Sequence, residues 1–353
     1  MPPRSASVSR AAIRRTAILS NVERDALQRA WKSRQLVLFL GAGVSLEYGL
    51  PPWGKLVLQL LFEEVADLGP LRQIAINYRR AVSDWLANYF DYGPTVLARL
   101  IEDHVLALSD SAVFLKTIQK ALYANVAVPS KRNTLKAVAD LIAHKAGNIP
   151  AVVTFNFDDL LEKELSKRQI KHRSVYSAER IKLGSLPIIH AHGYIPQSRE
   201  PPLAPIVFTE RDYHTLTEGV FHWALTEIVS YLRHRTVLFV GLSMSDPNLR
   251  RLLDASLTKG EPPHYQLQRK HQVPEEERQA VLQELERSAQ EWRRLFRGSI
   301  DKQPNQLFDV LRMTLTQADS FDTQLFRKMG VNTIWLDSYD QIPQALREIT
   351  KGM

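Results

Sequence analysis

The sequence predicts an α/β protein built on a Rossmann-like parallel sheet, with helices on both faces of the sheet and a helical insertion. Three observations predict this fold. Short continuous apolar runs recur along the chain, as expected for parallel strands that are buried on both faces. Each run ends in glycine or small polar residues, and stretches with helical periodicity separate the runs. The runs lie at 36–40, from 151, at 186–189 and at 236–240.

Composition sets limits on the function. The chain has 353 residues, 44% of them hydrophobic, which is enough for one large core. It contains no cysteine, so disulfides, thiolate zinc sites and a cysteine nucleophile are excluded. No apolar run is long enough to span a bilayer and residues 1–20 lack the apolar segment of a secretory signal, so we expect a cytoplasmic protein without membrane contact.

The net charge of +8 arises from basic residues that are spread among 38 acidic ones. No long basic block is present, and we therefore do not expect the protein to bind nucleic acid directly.

The predicted organisation is a basic N-terminal tail or helix over 1–35 and one nucleotide-binding domain over 36–353. Helical periodicity predicts a helical insert at about 71–148 and a charged helical segment at about 272–322. Within the latter, residues 274–297 begin with acidic and end with basic side chains, which favours a helix. Its apolar stripe, which includes Val281 and Leu285, favours packing on the chain's own core, and a subunit interface is the alternative.

The first glycine turn follows the run at 36–40. Gly41, Ala42 and Gly43 allow a tight turn and a close approach to a ligand, and the next helix directs its N–H groups towards a phosphate, which indicates a dinucleotide site. Leu46 stands where the third glycine of the full G-x-G-x-x-G fingerprint would be. An ordinary strand-to-helix turn is the alternative.

Polar residues also follow the second run. Thr154, Asn156 and Asp158 lie where that strand ends, and the carboxyl ends of parallel strands face the ligand crevice, so we expect these residues near the first glycine turn. The alternative is that Asn156 or Asp158 caps the helix that follows.

Two histidines follow the run at 186–189. His190 and His192 alternate and therefore could face the same side of a strand, as a metal site would require, but no third histidine or acid nearby completes a ligand set. We therefore predict no metal site.

A second glycine turn follows the run at 236–240. Gly241, Ser243 and Asp246 would reach the same sheet edge, where their polar groups could bind ribose hydroxyls. Alternatively, Asp246 simply begins a helix that has Pro247 at its first position.

Taken together, the motifs resemble those of the sirtuin-like NAD-hydrolase domains of prokaryotic antiphage defence systems. The matching segments are GAGVS with GLPPW, TFNFDDLLE, HG and VGLSMSDP, and the resemblance covers about 36–253 with a closing strand at 331–337. It implies that Gly41, Ala42, Gly43 and Ser45 cradle the NAD+ pyrophosphate. It further implies that Asn156 and Asp158 face the nicotinamide ribose and carboxamide, and that His192 is the second catalytic residue.

Two departures bear on the reaction. Sirtuin deacetylases carry a four-cysteine zinc module and an arginine shortly after the G-I-P motif, whereas this chain has no cysteine and Trp53 is followed by Gly54 and Lys55. Protein deacetylation and zinc binding are therefore not expected.

The residues that remain predict an NAD+ glycohydrolase. Nicotinamide is already a cationic leaving group, so its departure through an oxocarbenium-like state needs orientation more than it needs an acid. Asn156 would position water or the ribose hydroxyls, and His192 would act as the base. A non-catalytic sensor of NAD or ADP-ribose is the main alternative, and a protein deacylase or ADP-ribosyltransferase is a weaker one.

The resemblance also implies a biological setting. Members of the family deplete NAD+ during phage infection and are held inactive until then. We therefore expect a homo-oligomer, or a separate regulatory partner such as a HerA-type ATPase.

Overall fold

A computed structural model describes residues 17–64, 93–129, 133–178, 184–218, 222–257, 260, 263–296 and 304–352. Within these ranges the chain forms a seven-stranded sheet in which neighbouring strands are all parallel. The predicted α/β fold with a Rossmann-like parallel sheet is confirmed.

The strands are β1 (Leu36–Leu40), β2 (Val152–Thr154), β3 (His172–Val175), β4 (Leu186–His190), β5 (Thr236–Val240), β6 (His264–Arg269) and β7 (Val331–Leu336). The described helices are α1 (Asn21–Lys32), α2 (Trp53–Glu64), α3 (Pro94–Leu108), α4 (Ser111–Leu122), α5 (Thr134–Ala143), α6 (Leu160–Lys167), α7 (Glu210–Glu218), α8 (Trp223–His234), α9 (Pro247–Ser256), α10 (Arg278–Phe296), α11 (Pro304–Lys328) and α12 (Ile342–Thr350).

The strand order places the crevice of the sheet beside β1. The order is β3-β4-β2-β1-β5-β6-β7, so the chain builds one half of the sheet and then crosses to β5 on the other side of β1. Leu40 pairs with both Thr154 and Val240, and Thr154 pairs with His190, which aligns the carboxyl ends of four strands. Ligands of open α/β sheets bind outside such a reversal point.

Helices cover both faces of the sheet, as predicted. The side chains of β1 alternate between two cores: Leu36, Leu38 and Leu40 pack into one, and Val37 and Phe39 into the other. The first core includes residues of α1 to α6 and α12, while the second includes residues of α8, α9 and α11. All five β1 side chains are buried, which explains their continuous apolar sequence.

Two features of the fold were not predicted. β3 lies at one edge of the sheet, and only Val175 among its four residues is buried, so it lacks an apolar run. The first glycine turn itself continues into a short 3-10 turn, Ala42–Val44, and a second one, Leu46–Tyr48, follows before α2. Gly49 then takes a left-handed conformation with φ of 81°, and α2 begins only at Trp53.

Several predicted segments lie partly outside the described residues. These are residues 1–16 of the predicted tail, 71–92 and 130–132 of the predicted insert, and 297–303 of the charged segment. In the charged segment, α10 contacts α11 of the same chain, and Val281 and Leu285 of its predicted stripe are half-buried. None of the described helices is long and apolar enough to cross a membrane.

Candidate functional site

A cavity of about 620 Å³ lies at the carboxyl edge of the sheet, against the crevice that the strand order defines. Its volume is within the range of ligand pockets. All but one of the predicted site residues line it: Gly41, Ala42, Gly43, Ser45, Asn156, Asp158, His192, Gly241, Ser243 and Asp246. The exception is Thr154.

The two glycine turns pack directly against each other. The Gly41 N–H donates to Val240 O at 3.1 Å, and the Gly43 N–H donates to Gly241 O at 3.0 Å. A Cβ on Gly43 would lie 2.7 Å from the Gly241 Cα, and a Cβ on Gly241 would lie 2.7 Å from the Val44 N. These glycines therefore permit the contact between the two loops as well as lining the cavity.

Asn156 is held at its backbone and at its side chain. Its N–H donates to the Oγ1 of Thr154, the buried last residue of β2, at 3.1 Å. Its Nδ2 donates to Gly41 O at 3.1 Å and to Ser45 Oγ at 3.2 Å. Both amide hydrogens are thereby used, and the amide orientation assigned from this network leaves Oδ1 as the free polar atom.

Asp158 contacts the start of α6 and supports the first glycine turn. Asp159, not Asp158, stands at the N-cap of α6, but Asp158 Oδ1 accepts the N–H of the first helical residue, Leu160, at 3.1 Å, and its Oδ2 accepts the Ser45 hydroxyl at 2.8 Å. Burial raises the pKa of Asp158 to about 6, against the opposing effect of the Ser45 and Leu160 hydrogen bonds. Asp158 thus orders Ser45, which in turn orders Asn156.

His192 lies against aromatic rings and one carboxylate. Its ring contacts Phe155 edge-on at 5.1 Å between centroids and Tyr213 at 5.7 Å. Its Nε2 is 4.0 Å from Asp246 Oδ2, and its side chain is 14% exposed. Burial lowers the pKa of His192 to about 4, although the Asp246 charge acts in the opposite direction. The imidazole is therefore neutral at pH 7 and able to accept a proton, but its burial also makes it a weaker base than a free imidazole.

His190 has a different environment from His192. Its Nε2 lies 2.7 Å from Glu162 Oε1 and its Nδ1 lies 3.2 Å from Asn156 O, in a buried layer behind the cavity. The Ser174 hydroxyl also donates to Glu162 Oε1, at 2.8 Å. Burial raises the pKa of Glu162, but His190 and Ser174 together lower it by more, so the net shift is downward. Among the described residues, no group of three or more histidine, aspartate or glutamate side chains could hold a metal ion.

The second glycine turn places Asp246 at the start of α9. Asp246 Oδ1 accepts the Asn248 N–H at 2.8 Å and Pro247 follows at the first helical position, so the predicted helix start is confirmed. Ser243 Oγ and Ser245 Oγ share a hydrogen bond of 2.6 Å.

Some lining residues were not found from the sequence. Trp53 and Tyr213 reach the cavity from the starts of α2 and α7, and Tyr339 and Asp340 reach it from the loop after β7. Trp53 ends the GLPPW segment but was not assigned to the site, and the other three positions carry no local motif, because only the tertiary fold brings them to the cavity. Phe155 had a local signal, since it lies between Thr154 and Asn156 at the strand end.

The fold and the cavity define an α/β protein with a dinucleotide-type crevice at the reversal point of a parallel sheet. Comparison with known protein families gives a match to the SIR2-like domain over residues 150–289. SIR2-like domains bind NAD+, and the match suggests an NAD-related activity. The matched range includes Asn156, Asp158, His192 and the second glycine turn. A search of curated proteins found no match.

Proposed function

We propose that the protein is an NAD+ glycohydrolase that cleaves NAD+ to nicotinamide and ADP-ribose. The observation that carries the proposal is the presence, in one cavity, of a fixed Asn156 and a neutral His192. The similarity of this part of the chain to SIR2-like domains supports NAD+ as the ligand.

The first contribution is orientation by Asn156. Because Gly41 O and Ser45 Oγ take both amide hydrogens, Oδ1 is left to accept a hydrogen bond from a water molecule or a ribose hydroxyl. Three hydrogen bonds to the protein hold this residue, so the fold itself fixes the orientation that the reaction requires.

The second contribution is proton acceptance by His192. The nicotinamide ring of NAD+ is a cation and leaves as neutral nicotinamide when its bond to the ribose breaks. The site therefore needs no acid for that step. The attacking water must lose a proton, and the neutral imidazole supplies the acceptor. Phe155 and Tyr213 keep water away from two sides of the ring.

Binding of the dinucleotide would rely on backbone dipoles. Among the described residues that line the cavity there is no lysine or arginine. The first turn of α2, with Trp53 and Gly54, lines the cavity, and a helix N-terminus favours an anion such as a pyrophosphate.

Nicotinamide release from NAD+ by the purified full chain tests the proposal, alongside the variants Asn156→Ala and His192→Ala. We expect each variant to lose at least a hundredfold in kcat. His104→Ala, which changes an exposed histidine of α3 away from the cavity, is the matched control and should keep full activity. NAD+ binding is measured by calorimetry in the same preparations. Binding without release by the wild type, alone and with the protein encoded next to it, would favour a sensor of NAD or ADP-ribose instead.

We further propose, from the resemblance to antiphage NAD-hydrolase domains, that the activity depletes NAD+ during infection. Control by self-assembly or by a separate partner, such as a HerA-type ATPase, belongs to the same proposal.

A further inference from the structure

Asp246 occupies a position that capping alone does not explain. One of its carboxylate oxygens, Oδ1, is held by the Asn248 N–H at the start of α9. The other, Oδ2, is turned towards the cavity and lies 4.0 Å from Nε2 of His192. The helix N-terminus thereby orients the carboxylate.

The loop that carries Asp246 is held in an uncommon conformation. Gly241 has φ of 66° and Met244 has φ of 57°, and Met244 is a rare non-glycine residue with a left-handed backbone. Its side chain is buried in the core, 2% exposed, which fixes the loop in spite of this conformation. The carboxylate is therefore presented by a rigid segment.

We propose that Asp246 is a positioning residue for His192, which fixes the ring tautomer and stabilises the imidazolium that forms during the reaction. This inference rests on the proposed NAD+ glycohydrolase activity. A carboxylate only accepts hydrogen bonds, so the nitrogen that faces it, Nε2, carries the proton. Nδ1 is then the atom that accepts a proton from the substrate side.

In the proposed reaction, His192 accepts the proton that the attacking water loses. The O–H bond of the attacking water breaks, its proton moves to Nδ1, and its electron pair forms the new bond to the anomeric carbon. The C–N bond breaks and its electron pair leaves with nicotinamide. His192 becomes a cation whose Nε2–H faces the Asp246 carboxylate. The gap of 4.0 Å has to close by about 1 Å in the reactive complex, as catalytic hydrogen bonds commonly do.

The other residues packed against the His192 ring do not supply a negative charge. Phe155 is apolar, and the pKa of the Tyr213 phenol is raised by burial and then by Asp246 and Asp212, so Tyr213 is neutral. The Asp246 charge opposes the effect of burial on the pKa of His192. Of the described groups packed against His192, Asp246 is therefore the one that stabilises its protonated form.

The key variant is Asp246→Asn, because asparagine caps a helix as well as aspartate does. We expect kcat for nicotinamide release to fall about tenfold to hundredfold, with the Kd for NAD+ changed less than about threefold. Asp110→Asn is the matched control: Asp110 caps α4 through the Val113 N–H at 2.9 Å but does not line the cavity, so activity should be unchanged.

A second measurement does not depend on turnover. Long-range ¹H–¹⁵N histidine spectra of the full chain at pH 7, with His192 assigned by comparison with His192→Gln, report the ring tautomer. We expect Nε2–H with an unprotonated Nδ1 in the wild type, and a mixed tautomer in Asp246→Asn. If no preparation cleaves NAD+ but the tautomer behaves in this way, the glycohydrolase proposal fails while the pairing stands.

Two results would overturn the inference. One is an Nδ1–H tautomer in the wild type. The other is weakened NAD+ binding in Asp246→Asn with kcat unchanged, which would make Asp246 a contact for the ribose hydroxyls.

Discussion

Asn156 and Ser45 are 111 positions apart in the sequence, yet Nδ2 of the asparagine donates to Oγ of the serine at 3.2 Å. The same serine hydroxyl donates to Asp158 Oδ2 at 2.8 Å. Ser45 thus joins the loop after β1 to the loop after β2. The orientation of the Asn156 amide depends on a residue that need not touch the reacting bond.

Ser45→Ala should therefore impair turnover through Asn156. The variant removes one acceptor from the Asn156 amide and leaves Asp158 Oδ2 buried without its donor, which should cost about 1–3 kcal/mol of stability. We expect nicotinamide release to slow about tenfold as the amide loses its fixed orientation. Ser109→Ala removes a hydroxyl that donates to Val105 O outside the cavity and serves as the control for both measurements. Full activity of Ser45→Ala would show that Gly41 O alone orients the amide.

Asp158 should make stability depend on pH. Burial raises its pKa to about 6 in the folded protein, above the unfolded value, so its contribution to stability is complete below about pH 4 and is lost as pH rises through 6. In urea unfolding, wild type should lose about 1 kcal/mol relative to Asp158→Asn between pH 5 and pH 7. The difference between the two proteins cancels the titration of groups that they share. A constant difference across this range would show that Asp158 is ionised with an ordinary pKa.

The sequence identified the strands that are buried on both faces, because such strands need continuous apolar runs. β1 is the clearest case, since every side chain from Leu36 to Leu40 lies in one of the two cores. β3 was missed because an edge strand with three half-exposed residues has no such run. The start of α2 at Trp53 depends on the turns and prolines before it, whose combined geometry has no simple sequence pattern.

The site was predictable where its residues follow strands. Asn156, His192 and Gly241 reach one edge because the parallel register aligns the strand ends. Tyr213 and Asp340 arrive from elements whose packing no local motif specifies. The pairing of His190 with Glu162 was also beyond sequence reasoning, because their contact depends on how α6 lies against β4.

The pairing of His190 with Glu162 should contribute strongly to the stability of the fold. His190 is 1% exposed and Glu162 is 9% exposed, and their N–O distance is 2.7 Å. Glu162→Ala leaves the imidazole buried without its acceptor, and we expect a loss of about 3–5 kcal/mol in urea unfolding. Lys116 and Glu200 have the same distance of 2.7 Å in an exposed pair, so Glu200→Ala should produce no measurable change. A double variant that also carries His190→Leu should recover part of the loss, because no unpaired polar ring remains.

Contact between the two glycine turns should limit what Gly241 tolerates. Gly241 has φ of 66° and a Cβ there would lie 2.7 Å from the Val44 N, so Gly241→Ala combines backbone strain with a clash against main chain. Gly184 has φ of 90° but nothing lies within 4 Å of its Cβ position, so Gly184→Ala carries the strain alone. We expect a cost of about 1–2 kcal/mol at Gly184 and about 3 kcal/mol or more at Gly241.

The affinity for NAD+ should also differ between Gly241→Ala and Gly184→Ala. Gly241→Ala must push the second turn away from Gly43, which opens the wall of the cavity, and the Kd should rise at least tenfold while that of Gly184→Ala stays unchanged. Calorimetry at a temperature where both variants are folded makes the comparison. Equal stability losses with equal Kd values would mean that the loops adjust to a methyl group, and that their close packing is not what shapes the cavity.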